Sequence, residues 1–159
     1  MQTFLPFIEF SESAKALDNK RLNKQILEGY QILNVLSNDD PHAGWRNHPA
    51  VKMWRGHEGA LWDYVFACVR EADERGIKTD KNVENLMALR RRAEYNWGSG
   101  MPEWFSNAEA LNRVVMTHRA NLYKKDPYFY VDFMGSVEDA WNEPCCERCN
   151  YYWVTHVSA

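Results

Sequence analysis

The sequence has no long, apolar, uncharged run. Its apolar stretches end after a few residues, and the opening MQTFLPFIEF lacks a basic region followed by a long apolar one. A membrane span needs about 20 consecutive apolar residues, and a signal peptide needs basic and apolar regions in order. A cytoplasmic protein without membrane contact is therefore expected. Cysteine is scarce and badly spread for cross-linking: of Cys68, Cys145, Cys146 and Cys149, three sit together, whereas a secreted disulfide framework staples distant segments. Internal repeats and low-complexity tracts are absent, which argues against a solenoid. Excess positive charge is missing too. A net charge of −3 argues against coating nucleic acid by bulk attraction.

What is present suffices for one core: 159 residues, 45% of them hydrophobic and 14% aromatic, within the usual size of a single domain. The small net charge conceals segregation. Residues 86–125 carry Arg90, Arg91, Arg92, Arg113, Arg119, Lys124 and Lys125 against Glu94, Glu103 and Glu109, a local +4. Residues 126–159 carry six acids against Arg148, a local −5. A basic face can thus coexist with an acidic tail, although a run such as Arg90 to Arg92 is also what a solvated helix surface looks like.

Periodicity predicts four main helices. Ser11 or Ser13 caps the first, which runs to about Leu36 with Leu17, Leu22, Ile26, Leu27, Leu33 and Leu36 near one face. The turn-rich SNDDPHAGWRNHP follows, and Asn47 or His48 before Pro49 starts a second helix ending at Arg75, with Gly76 as its left-handed stop. A shorter helix spans about Asp80 to Tyr95. NWGSGMPEWF reads as a loop, and the last helix runs from Asn107 or Ala108 to Lys125, stopped by Pro127. The expectation is an all-α, compact, single-domain bundle of about four helices over residues 1–135. An irregular, acidic, Cys-containing tail, 136–159, packs on it or extends from it.

The first helix carries a polar stripe, Arg21, Lys24, Gln25 and Glu28, spaced so that the four share a face. That is either a salt-bridged exposed surface or a binding surface. The segment ALDNKRLNKQILEGY resembles the first helix of the bacteriophage endonuclease V family of pyrimidine-dimer DNA glycosylases. RGHEGALWDYVFACVREADERGIK is similar to that family's long second helix, and ALNRVVMTHRANLYKKDPYFYVDFMG to its last. Together the three blocks cover most of residues 14–135. MQTFLP, RLNKQ, GWRNHPAVKMW and HRANLYKKDP also look like a phage and bacterial branch grouped with the family.

The resemblance implies double-stranded DNA as the partner, a monomer, no cofactor, and a free α-amine that attacks the deoxyribose anomeric carbon to form a Schiff base leading to strand cleavage. An α-amine suits this, since its reference pKa of about 7.7–8.0 leaves part of it nucleophilic near neutrality, unlike an ordinary lysine at about 10.4. The implied catalytic set is Met1, Glu28 and Arg21. Glu28 stabilises the sugar cation and shuttles protons. Implied DNA contacts are Lys24, Gln25, Arg46, His48, Arg55, Arg119 and Lys124, the last two matching a basic pair on the family's final helix. Trp45 and Trp54 are further candidates, for stacking on unstacked bases. The family's processed terminus is a small threonine, whereas Gln2 follows Met1 here. Four readings stay open: the Met1 amine as nucleophile, the Thr3 amine after trimming, water activated by Glu28, or a non-catalytic binder. Cys145, Cys146, Cys149 and His156 match a structural zinc ligand set. Nothing upstream supplies a second pair of ligands, so reduced thiols without a metal are expected.

Overall fold

Leu22, Ile26, Ile32 and Leu33 recur at helical spacing, and the helix they imply buries all four completely. In the computed structural model, which describes residues 1–141 and 151–156, this helix packs most extensively against one other, and Gly29 permits the approach. A Cβ at Gly29 would lie 2.3 Å from Val65 Cγ2. The described residues form seven α-helices and no strand: α1 (Phe10–Ala16), α2 (Asn19–Leu36), α3 (Pro49–Lys52), α4 (Glu58–Glu74), α5 (Asp80–Ala93), α6 (Ala108–Lys125) and α7 (Ser136–Trp141). The α2–α4 pair forms the centre, α1 packs on α4, and α5 on α2.

The number of helices differs from the expected four because two of the expected long helices are broken and because the tail, expected to be irregular, begins with a helix, α7. At Leu17 and Asp18 the backbone is extended. Leu17 can then enter the core while Arg75, from the end of α4, donates to the carbonyls of Leu17 at 2.7 Å and Lys15 at 3.0 Å. A guanidinium thereby satisfies carbonyls that α1 leaves unpaired. The second break lies between α3 and α4. Glu58, buried at the start of α4, accepts from Gly56 N at 3.2 Å and from Gly98 N at 2.8 Å, which docks the 97–100 loop on the helix start. A Cβ on Gly98 would fall 1.7 Å from Gly56 O, so that contact demands glycine. Leu27, counted on the apolar face of the first helix, is instead 44% exposed.

Other local signals act as the sequence implies. His48 Nδ1 accepts from Ala50 N at 3.1 Å and Asn107 Oδ1 from Ala110 N at 3.1 Å, capping α3 and α6. Gly76, at φ +74°, closes α4 with the bonds Ile77 N to Ala72 O and Gly76 N to Asp73 O, a Schellman turn. Tyr152 and Trp153, from the acidic tail, lie in the core.

Residues 2–7 are the unusual element, an extended segment threaded between helices with no sheet to pair with. Buried backbone groups need partners, and side chains supply them. Gln25 Oε1 accepts from Phe4 N at 2.8 Å and Gln25 Nε2 donates to Gln2 O at 3.0 Å. Tyr64 donates to Phe4 O at 2.7 Å, His118 Nδ1 accepts from Leu5 N at 2.9 Å, and Arg119 Nε donates to Pro6 O at 2.6 Å. Trp54 Nε1 reaches Thr3 Oγ1 at 3.0 Å. Three helices, α2, α4 and α6, thus grip this segment, and α1 adds the Ser13 hydroxyl, bonded to both N and O of Phe7.

Candidate active site

Threading the segment brings the chain's first residues against α2. Gln2 N lies 3.3 Å from Glu28 Oε2, and Gln25 Nε2 approaches the same oxygen at 3.2 Å. The Glu28 side chain is only 12% exposed and Lys24 Nζ stands 3.8 Å from its other oxygen, while Lys24 itself is 64% exposed. With its lysine so exposed, a pair at that distance adds little stability. It leaves a carboxylate fixed from behind by amides and open in front to cations.

Around Glu28 is a cleft of about 410 Å³ lined by Met1, Gln2, Phe4, Lys20, Arg21, Lys24, Lys125 and Tyr151. Four of these residues are cations. Arg21 is oriented by Asp18, which accepts from its Nη1 at 3.1 Å and also takes the Tyr130 hydroxyl hydrogen. Burial opposes ionisation of Asp18, but these two donors prevail and hold its carboxyl below the usual range. Burial, then the neighbouring Glu28, pushes the Tyr151 phenol up to about 12, so it enters the cleft neutral. His48 is lowered by burial and then by the positive terminus at Met1, with Glu28 partly opposing. Its ring caps α3 through Ala50 N and is not among the residues that line the cleft. The cleft thus brings a carboxylate and the first residues of the chain together beneath a rim of cations.

The candidate residues divide. Met1, Glu28, Arg21 and Lys24 come together in this cleft. Gln25, expected to contact DNA, is buried and saturated by Phe4 N, Gln2 O, Glu28 and the Tyr64 hydroxyl. It positions the segment rather than facing a ligand. Arg119, also expected on DNA, is spent on Pro6 O and on the rings of Phe7 and Phe133, 4.6 and 5.4 Å away. Lys124 is exposed but does not line the cleft; Lys125 does. Arg46 and Arg55 lie outside it and hold the 38–55 loop: Arg46 donates to Asn38 O at 3.2 Å and Arg55 to Arg46 O at 2.6 Å. Trp54 is fully buried, whereas Trp45 is 61% exposed. Cys145, Cys146 and Cys149 fall outside the described residues. Among the described residues no group of three or more His, Cys, Asp or Glu could hold a metal ion, and no helix is long and apolar enough to cross a membrane.

Lys20, Lys125 and Tyr151 join the expected residues in the cleft. Lys20 was legible, since Lys20, Lys24 and Glu28 follow one another at four-residue spacing. Lys125 follows His118 by seven residues and so shares the α6 face that holds the N-terminal segment. Tyr151 had no periodic signal. A larger hollow, about 900 Å³, lies elsewhere, between Phe7, Phe105, Leu111 and Val115. Its rim carries Glu9, Glu12 and Glu109 against Arg119, which repels a phosphate backbone.

The family model described as pyrimidine dimer DNA glycosylase matches residues 1–85, more than half of the chain. No curated protein and no solved structure matches the chain.

Proposed function

The chain belongs to the pyrimidine dimer DNA glycosylase family, and from that premise we propose that it cleaves the N-glycosidic bond of damaged pyrimidines in duplex DNA and then nicks the abasic strand. The observation that carries this reading is the seating of the first residues on Glu28, with Gln2 N 3.3 Å from the carboxylate inside a cleft rimmed by Lys20, Arg21, Lys24 and Lys125. The cations hold the flanking phosphates. The Met1 amine attacks the anomeric carbon as the base departs with the bonding electrons. Glu28 stabilises the developing sugar cation, assists ring opening, and removes the proton whose loss eliminates the 3′ phosphate. Gln2, the departure from the family's threonine, is compatible with this because its side chain turns inward: Gln2 is 5% exposed and its Oε1 accepts from Thr3 N at 2.9 Å. Trimming to Thr3 would instead remove two of the residues that line the cleft, Met1 and Gln2.

Borohydride trapping on abasic duplex tests the reading. The protein with a free Met1 amine should become covalently attached to DNA. Acetylating the Met1 amine removes the nucleophile, and adding one residue ahead of Met1 displaces it by about 3.3–3.6 Å, as far as the whole reach of about 3–3.5 Å that attack allows, so either block should abolish both trapping and nicking. Base release that continues in the blocked protein, leaving intact abasic sites, would transfer the role to water activated by Glu28. Undiminished trapping in the blocked protein would transfer it to a lysine such as Lys24.

A further inference from the structure

The larger hollow has no part in the proposed chemistry. Its walls are apolar, from Phe7, Phe105, Leu111 and Val115, and Ile8 stands beside them 60% exposed. A smaller hollow of about 290 Å³ continues it. Phe7 and Glu12 line both, and the smaller one adds Phe133 and Phe129, the latter 53% exposed. The two meet where the Arg119 guanidinium lies over the Phe7 and Phe133 rings, 4.6 and 5.4 Å away. Apolar surface left open in this way, rimmed by polar residues, marks a binding surface. A compact metabolite would need polar groups converging on the floor, and here the polar side chains, Ser106 and Asn112, are exposed. Two joined hollows form a groove, which suits a length of polypeptide.

The edge of the groove is acidic. Glu9, Glu12, Glu109 and Asp132 are exposed along it, against Lys15 and Arg119. Both cations are engaged: Lys15 Nζ lies 3.6 Å from Glu12 Oε1, and Arg119 donates to Pro6 O beneath two rings. Among the described residues, Glu9, Glu109 and Asp132 form no ion pair. Three uncompensated carboxylates beside apolar walls select the charge of whatever lies there. DNA and an anionic membrane surface carry the wrong sign. So does the stretch 142–150 of the chain itself, where Glu143 and Glu147 face only Arg148. The groove shares no lining residue with the cationic cleft, so filling one uses nothing of the other.

We propose that this groove docks a protein partner through a cationic amphipathic segment, whose apolar side chains fill the space between Phe105, Leu111 and Val115 while its lysines or arginines reach Glu9, Glu109 and Asp132. The assignment stands apart from the glycosylase reading, because no residue of the groove takes part in that chemistry.

The test is calorimetric titration of the full chain with a short synthetic peptide of leucine and lysine patterned as an amphipathic helix, and with a leucine and glutamate peptide of the same pattern. The lysine peptide should bind one per chain, move the amide resonances of Phe7, Ile8, Leu111 and Val115, and weaken as salt is added. The glutamate peptide should not bind. Ile8→Asn should weaken the lysine peptide about 5- to 30-fold, since more than half of that side chain is left to bury, and should leave Tm unchanged. Glu9→Gln with Glu109→Gln should weaken it about 2- to 5-fold per charge and flatten the salt dependence. Failure of the lysine peptide to saturate would overturn the proposal. So would equal binding of the glutamate peptide, resonance shifts spread over acidic residues outside the groove, or wild-type affinity in Ile8→Asn. Sedimentation of the protein alone completes the test: self-association that Ile8→Asn abolishes would give the groove to a second copy of the chain and also overturn it.

Discussion

Lowering the pH sets His118 against the bond that seats the N-terminal segment. The ring is fully buried and its Nδ1 accepts from Leu5 N at 2.9 Å, so its own hydrogen must sit on Nε2. Burial lowers its pKa from 6.5 to about 3. A second proton has only Nδ1 to go to, and taking it removes the acceptor that Leu5 uses. The unfolded chain therefore binds a proton near pH 6.5 that the folded chain refuses until about 3. Stability from this group is complete above the unfolded value and is lost as pH falls through the interval. The slope is about 1.4 kcal/mol per pH unit, which removes about 2 kcal/mol by about pH 5, a sizeable part of the roughly 5–15 kcal/mol that holds a typical domain together. Urea denaturation of wild type and His118→Asn between about pH 8 and 5 isolates the effect, because the carboxylates titrate in both. Asparagine still offers an oxygen to Leu5 and cannot take the proton. It should be less stable at high pH, having lost ring contacts with Phe4 and Tyr151, yet fall by about 2 kcal/mol less on acidification. Parallel curves for the two proteins would refute the argument.

Gly29→Ala should cost about 1–3 kcal/mol by overpacking against Val65, and Val65→Ala in the same chain should restore part of it, a coupling that thermal denaturation of the double-mutant cycle measures. Lys20→Ala and Lys125→Ala should each reduce the salt slope of duplex binding by about one counterion, read by fluorescence anisotropy across salt concentrations. Arg119→Ala should leave that slope alone and instead lower stability by about 1–3 kcal/mol, since Pro6 O loses a charged donor. Glu28→Gln should reduce base release by about 100-fold or more while duplex affinity stays within about two-fold; equal loss of both would indicate misfolding.

The helices were legible wherever burial alone decides them. Leu22, Ile26 and Leu33 mark α2 by spacing, and Gly76 marks the end of α4 by its conformational freedom. The two breaks were not, because distant groups make them: Arg75 holds the end of α1, and Glu58 ties Gly56 to Gly98, itself 40 residues further along than Glu58. The site divided in the same way. A polar stripe on α2 announced Glu28, Arg21 and Lys24, but spacing cannot tell a residue that meets solvent from one that meets another segment. Gln25 passed for a surface amide on that account. The threaded segment that claims it has neither a helical period nor a strand partner, and Tyr151 arrives from a part of the chain with no period at all.

That threaded segment also sets an order of events during synthesis. Leu5 and Pro6 leave the ribosome 113 residues ahead of His118 and Arg119, the side chains that receive them. Until α6 has been made and has folded back, the first residues have Gln25 and Tyr64 to bind but no roof. Contacts so distant in sequence close late. Under the proposed chemistry, the nascent polypeptide stays harmless to the cell's own DNA through most of its elongation, and the ability to cut strands arrives only with the last long helix.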